Sequence, residues 1–395
     1  MVREGKKELR FGYTTGACAA AAAKGAALML RDQKLYDDIE ISLPDGTPVR
    51  FRLQGQQLTR TGATCYVVKD AGDDPDVTNG AEIHADIDVE FFTPHRMILQ
   101  GGAGVGRVTK PGLAVKVGEW AINPVPASMI MEGVKEVLAL RCVPATFTIT
   151  IFVPNGEELA RKTLNERLGI VGGLSILGTT GIVKPLSAKA WTDTIDCAID
   201  VALASGAEAV VLSTGRTSEL AAQKFLRSGE FASKHGKLPD EAFVMMGDHV
   251  AYALRASFRK GAQRTVLAGQ FAKLLKIACG HEQTHVSSSL LDLRQLGEWC
   301  SQTPSLTQLA PLVLRANTAR QVLEESANEP ELIRLVCTRA REAAELMAAG
   351  LEVGVLLAGY SGEVLYCSEH RQKAFNAKTQ RSQRSIEDID PRLNN

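Results

Sequence analysis

From Gly173 onward the chain alternates short apolar runs with helical patterns, and no other feature constrains its fold as strongly. The runs span 174–177, 209–212, 242–246, 265–268 and 353–357, and helices are predicted near 188–204, 218–227, 250–259 and 271–278. Runs this short and this continuously apolar suit strands buried on both faces. Strands that alternate with helices argue for a parallel, doubly wound sheet.

The preceding part has a different rhythm. A helix is predicted over 15–30, with Thr14 or Thr15 placed to cap it through a hydroxyl oxygen. Ala19 to Ala23 give that helix high intrinsic propensity and a thin face. Ile39, Ile41 and Leu43 alternate with polar residues, as do Val49, Phe51 and Leu53, and the turn-forming Pro44-Asp45-Gly46-Thr47-Pro48 between them predicts a hairpin. Further strands are predicted at 64–68, 82–92 and 146–153, and a helix at 127–139. This is the pattern of an α+β domain. The change of rhythm after Pro154-Asn155-Gly156 sets the boundary within 155–172, giving an α+β domain over 1–160 and an α/β domain with a mostly parallel sheet over 161–370. The polar segment 371–395 is expected to be poorly ordered.

The 395 residues correspond to roughly two to three domains as a prior, in keeping with this division. Lys and Arg (45) balance Asp and Glu (45), which removes the basic footprint of a general nucleic-acid binder. No apolar run reaches the about 20 residues that span a bilayer. Residues 1–10 are polar and charged, with no signal-peptide core behind them, so a cytoplasmic location is expected. The 8 cysteines are scattered singly and form no C-x-x-C pair, the pattern of reduced thiols packed as small hydrophobes.

The predicted strands of the second domain end in small or polar residues: Gly178-Thr179-Thr180-Gly181, Ser213-Thr214-Gly215, Gly247-Asp248 and Gly269-Gln270. Ligands of open α/β sheets lie at the carboxyl ends of the strands, where glycines let backbone N–H groups approach a polar or anionic group. Each loop alone also reads as an ordinary tight turn; four of them on one edge favour a site. Gly101 to Gly106 fits neither G-x-G-x-x-G nor a phosphate-binding P-loop, because Arg107 and Val108 stand where Lys and Ser/Thr are needed. Asp70, Asp73, Asp74 and Asp76 lack calcium-loop spacing and read as a turn whose carboxylates cap local N–H groups. His281-Glu282-Gln283-Thr284-His285 matches H-E-x-x-H, which binds zinc when it lies inside a regular helix. Here Gly280 precedes it as a helix-ending residue and serines 287–289 follow, so a ligand-contacting or capping loop is the better reading. Lys24, Lys110, Lys184, Lys273 and Lys276 lie in or near these segments and matter if the ligand is anionic.

Several blocks of sequence are recognisable: GYTTGACAAAA from Gly12, KDAGDDPDVTNG from Lys69, GGAGVGRVTKPGLAVKVGEWAINPVP from Gly101 and PNGEELARKTLNERLGIVGGLSILGTTG from Pro154. In these the chain resembles the cobalt-precorrin-5B C(1)-methyltransferase family of anaerobic cobalamin biosynthesis. The resemblance runs to about residue 290 and includes Thr284-His285, whereas His281 and Glu282 do not match family positions. The chain departs from the family pattern at Ala127, where a basic residue is common, and at Gln270-Phe271-Ala272, where a Gly-Lys pair is usual.

The resemblance implies methyl transfer from S-adenosylmethionine to carbon 1 of a cobalt-bound, ring-contracted tetrapyrrole, giving cobalt-precorrin-6A. It implies a mixed N-terminal domain joined to a Rossmann-like C-terminal one, and cobalt that belongs to the substrate rather than to a protein metal site. The substrate carboxylates are expected at the helix N-termini near Thr14-Thr15 and Asn123-Pro124-Val125-Pro126, and at Lys110 and Lys273. The methyl donor is expected over Gly178, Thr179, Thr180, Gly181, Ser213, Thr214, Gly215 and Gly247. Asp248 is expected either to accept from its ribose or amino group or to cap the next helix, and His285 either to orient the macrocycle or to accept a proton. Neither nucleic acid nor membrane is an expected partner, and a homo-oligomer stays open. The competing readings are a zinc hydrolase using His281 and His285, and a non-catalytic tetrapyrrole carrier.

Overall fold

A computed structural model describes residues 9–138, 144–185, 187–227 and 238–368. The chain divides into two compact units, Met1–Ala207 and Glu208–Asn395. Both are mixed α/β structures whose main sheets combine parallel and antiparallel pairs. Among the described residues no helix is long and apolar enough to cross a membrane.

The first unit is organised by helix α1 (Thr15–Asp32). Thr14 caps it, its hydroxyl accepting from the Ala17 N–H at 3.2 Å. The alanines of α1 are buried all round the helix, because small side chains let the backbone lie close to its neighbours. Strands β1 (Asp38–Ser42) and β2 (Pro48–Arg52) form the predicted antiparallel hairpin. They are followed by β3 (Gln54–Leu58), β4 (Gly62–Val68), β5 (Glu82–Phe91) and β6 (Arg96–Gly101). Helix α2 (Pro124–Leu138) and strand β7 (Ala145–Phe152) come next, and α3 (Ala188–Ala204) is the last helix of the unit. The larger sheet has the order β3-β4-β5-β7-β6. Ile83, Ala85, Ile87 and Val89 of β5 and Phe147, Ile149 and Ile151 of β7 point into one core with α1, while Asp86 and Asp88 point away. That core is the period-two pattern of the strands converted into buried area.

The boundary expected near residue 160 falls instead at Ala207, and the reason is pairing back onto earlier segments. Residues 170–171 pair with 107–108, 173–174 with 104–105 and 182–183 with 12–13, and Leu174 and Ile176 join the α1 core. The run 174–177 is therefore not a strand of the second unit's sheet. The acidic turn behaves as expected: Asp70 accepts from the Gly72 N–H and Asp76 from the Thr78 N–H. Asp76 also pairs with Lys69, which is almost completely buried.

The second unit contains the predicted alternation. Strand β8 (Ala209–Ser213) leads into α4 (Arg216–Leu226), β9 (Phe243–Met245) into α5 (Val250–Arg259), and β10 (Arg264–Gln270) directly into α6 (Phe271–Ala278). Helices α7 (Leu293–Gln302) and α8 (Pro330–Met347) precede β11 (Glu352–Ala358) and β12 (Val364–Cys367). Strand order is β9-β8-β10-β11-β12; the first four run parallel and β12 closes the edge antiparallel. Strands β8 and β10 are buried along almost their whole length, in line with their continuous apolar sequence. The helical stretch from 293 to 347 was not anticipated from the apolar runs. The expected tail 371–395 lies outside the described residues.

Candidate active site

The strand order β9-β8-β10-β11 has a reversal between β8 and β10, because the chain leaves β8 toward β9 and returns to β10 on the other side. Such a reversal opens a crevice at the carboxyl ends of the strands. Backbone hydrogen bonds stitch the loops there together. The Thr214 N–H donates to the Ala268 carbonyl at 3.0 Å, and the Met246 and Gly247 N–H groups converge on the Ser213 carbonyl at 3.0 and 3.3 Å. Ser213, Thr214, Gly215, Gly247, Asp248, Gly269 and Gln270 are thereby brought to one edge, as expected for those loops.

A polar cluster is built beside this edge. Asp248 follows β9, Lys273 and Lys276 lie on α6, and Thr284 lies in the loop beyond Gly280, whose positive φ ends α6. The Lys273 ammonium pairs with Asp248 Oδ1. The same oxygen accepts from the Thr284 hydroxyl at 2.6 Å, and the Asp248 carbonyl accepts from the Thr284 N–H at 3.2 Å. Lys273 and Lys276 both donate to the Thr284 carbonyl, at 3.1 and 3.0 Å. Burial opposes ionisation of Asp248, but the hydrogen bonds from Lys273 and Thr284 and the Lys273 charge together outweigh it, so its carboxyl titrates below the usual aspartate range. Burial, reinforced by the charge of Lys273, pulls Lys276 below the usual lysine range. His285 projects from this platform and is exposed, with Nδ1 2.7 Å from the Ser287 hydroxyl.

The H-E-x-x-H spacing does not yield a zinc-hydrolase geometry. Residues 281–285 are non-helical, so the imidazoles of His281 and His285 do not share a helical face, and Glu282 is paired with Arg255. Among the described residues no three His, Cys, Asp or Glu side chains are grouped to hold a metal ion.

The remaining expected residues belong to the first unit, and Gly178, Thr179, Thr180 and Gly181 do not follow a strand of the parallel sheet. They belong to a segment that crosses the N-terminus of α1. The Thr14 N–H donates to the Gly181 carbonyl and the Gly16 N–H to the Leu177 carbonyl, both at 3.0 Å. The Thr15 hydroxyl accepts from the Leu177 N–H at 3.0 Å. Thr14 and Thr15 are buried, and the Thr14, Gly16 and Ala17 N–H groups at this helix end are used within the unit.

Helix α2 starts at Pro124, earlier than expected, because proline's fixed φ suits the first helical turn. Its N-terminus is poor in donors: Pro124 and Pro126 have no N–H, and the Ala127 N–H goes to the Asn123 carbonyl at 2.9 Å. Asn123 is itself half-buried, its N–H held by the Ile176 carbonyl at 2.9 Å. Lys110 is half-buried, lies against Gly169 and reaches the Arg167 carbonyl at 3.3 Å. Sequence reasoning missed Thr284 as the centre of the second unit's cluster. Its only signal was its position beside His285 in a loop following two lysines.

A family model described as CbiD matches residues 2–185, and one described as CbiD, C-terminal domain, matches residues 283–369. A protein of Geobacter sulfurreducens named cobalt-precorrin-5B C(1)-methyltransferase is 66% identical over 91% of this chain and 99% of its own length. A protein of the same name from Citrifermentans bemidjiense is 61% identical over 91% of this chain and 98% of its own length. The crystal structure of a cobalamin biosynthesis protein (cbiD) from Archaeoglobus fulgidus is 30% identical, covers 68% of this chain and 79% of its own, and superposes with a TM-score of 0.37. With these matches, the chain belongs to the CbiD family.

Proposed function

We propose that the chain is a cobalt-precorrin-5B C(1)-methyltransferase that takes its methyl group from S-adenosylmethionine. The observation that carries this reading is the 66% identity to a relative of that name across 99% of the relative's length. The reading places the reactants at the carboxyl edge of the second unit and takes that unit as Rossmann-like, which its strand reversal and the helices following β8, β9 and β10 support.

The chemistry asks little acid–base work of the protein. Methyl transfer is an in-line displacement in which the ring carbon attacks the sulfonium methyl, the C–S bond breaks and a neutral thioether leaves. No acid is needed for that departure, so alignment of the two reactants supplies the rate enhancement. The methyl donor supplies an electrophilic carbon and an amino-acid end. Ser213, Thr214, Gly215 and Gly247 offer backbone and hydroxyl groups to hold it, with Asp248 as the acceptor beside them. The macrocycle presents acetate and propionate carboxylates, for which Lys273 and His285 are the available cationic or donating side chains. The groups of the first unit do different work in this reading. Thr14, Thr15 and Asn123 hold the 175–181 segment in place, and Lys110 ties the Arg167–Gly169 turn.

A water-soluble polycarboxylate substrate fits a cytoplasmic enzyme that uses neither membrane nor nucleic acid. The test is incubation of purified protein with cobalt-precorrin-5B and S-adenosylmethionine. A mass gain of one methyl group on the corrinoid, with matching release of the demethylated donor, is the expected outcome. Binding of corrinoid without that gain would instead identify a carrier.

A further inference from the structure

The loop after α6 supports a specific role for His285, resting on the reading of the second unit's edge as the methyl-transfer site. Thr284 is fully buried, and its N–H, hydroxyl and carbonyl are all engaged by Asp248, Lys273 and Lys276. Two lysine side chains and one carboxylate meet at this mount, so its ionisable groups are predominantly basic. The next residue is held from its other side: the His285 carbonyl accepts from the Ser288 N–H, the Ser289 N–H and the Ser289 hydroxyl, each at 3.0 Å. The backbone on both sides of the ring is thereby fixed while the ring itself is exposed.

The ring's own bonds decide its chemistry. Nδ1 accepts from the Ser287 backbone N–H at 3.2 Å and lies 2.7 Å from the Ser287 hydroxyl. A backbone N–H can only donate, so Nδ1 must present its lone pair to it. The neutral imidazole then carries its proton on Nε2. In this tautomer Nε2 has no lone pair with which to accept a proton.

We propose that His285 is a reactant-contacting hydrogen-bond donor, not a base: its Nε2–H, held on Thr284 beside Lys273, binds a carboxylate of one of the two reactants. A carboxylate is the group that matches an N–H donor on a predominantly basic mount, and both reactants carry one, the methyl donor at its amino-acid end and the macrocycle on its side arms. No bond to His285 forms or breaks in the reaction. Thr284 is a positioning residue that acts through it.

Two measurements on the full chain test this. Long-range 1H–15N spectra of histidine-labelled protein, with the His285 signal identified by its loss in His285→Gln, are expected to show Nε2–H; an Nδ1–H pattern overturns the proposal. In steady-state methylation, His285→Ala is expected to lose about 10- to 150-fold in kcat/KM, and His285→Gln, whose amide N–H takes the place of Nε2–H, to recover to within about threefold of wild type. A rise in KM for S-adenosylmethionine places the carboxylate on the methyl donor, and a rise in KM for the corrinoid places it on the macrocycle; either supports the donor role. Thr284→Val is expected to raise the same KM and Thr284→Ser to restore it. A glutamine variant as impaired as the alanine one, or an alanine variant with unchanged KM and kcat, overturns the proposal. Wild-type protein that fails to methylate at all defeats the reading of the site instead, and leaves the tautomer result standing on its own.

Discussion

Thr284 donates its hydroxyl to the Asp248 carboxylate at 2.6 Å and its backbone N–H to the Asp248 carbonyl at 3.2 Å. This double link ties the loop after α6 to the turn after β9, segments separated by a strand and two helices in the sequence. Because Thr284 is buried, neither bond is exchanged readily for one with water. Removing the hydroxyl in Thr284→Val is expected to lower stability by about 1–3 kcal/mol, while Thr284→Ser stays close to wild type. Urea midpoints of the two variants check this, and equal midpoints would count against the link.

The Asp248 carboxyl titrates below the usual aspartate range in the folded chain. A depressed carboxyl stabilises the fold above the unfolded-state value, about 3.9, and that contribution is lost as pH falls through the lower folded value. The stability difference between wild type and Asp248→Asn is therefore expected to stay constant between about pH 5 and 8 and to shrink below about pH 4. Urea titrations across that range measure it; a difference that widens in acid would contradict the assignment.

Gly178 has a φ of +126°, and a Cβ there would come within 2.4 Å of the Thr14 hydroxyl oxygen. Alanine at 178 combines backbone strain with displacement of the side chain that caps α1. A loss of about 2–3 kcal/mol is expected from Gly178→Ala. Thermal or urea unfolding that shows no loss would mean that the 175–181 segment is not held against α1 as described.

Lys69 holds its ammonium 2.7 Å from Asp76, with only 1% of its side chain exposed. Lys69→Met leaves the Asp76 carboxylate without its cation in a partly buried turn and is expected to cost about 3 kcal/mol. Adding Asp76→Asn to the Lys69→Met background should recover part of that loss, because the uncompensated charge is then removed as well. A double-mutant cycle on unfolding free energy measures the coupling, and additive losses would argue against it.

His281 and His285 do not share a helical face, and Glu282 is engaged by Arg255. Chelator treatment is therefore expected to leave methylation unchanged, and His281→Ala to retain activity. Loss of turnover with EDTA, restored by added zinc, would revive the metal reading.

Local structure was legible where the pattern was strong. The alanine-rich helix, the hairpin around Asp45-Gly46 and the buried strands β8, β10 and β11 follow from residues adjacent in sequence. Strand β3, Gln54–Leu58, was not legible, since a run of Gln and Gly has no apolar alternation and its pairing is imposed by β4. The unit boundary was misplaced for a related reason: residues 170–183 pair with 12–13 and 104–108, contacts that no local window contains. The site divides in the same way. The loops at the strand ends were visible from glycine and serine punctuation. The convergence of Lys273 and Lys276 on one carbonyl was not, because it depends on how the chain turns back after Gly280. Thr14 and Thr15 showed the opposite failure: a capping sequence predicts a helix N-terminus but not that other segments consume its donors.

That methyl transfer occurs at the edge of the second unit is decided by mass spectrometry of the corrinoid after a single turnover. Wild-type protein with cobalt-precorrin-5B and methyl-labelled S-adenosylmethionine is expected to place one labelled methyl group on the macrocycle, at a rate that falls sharply in His285→Ala and recovers in His285→Gln. An unlabelled corrinoid of unchanged mass would contradict the claim.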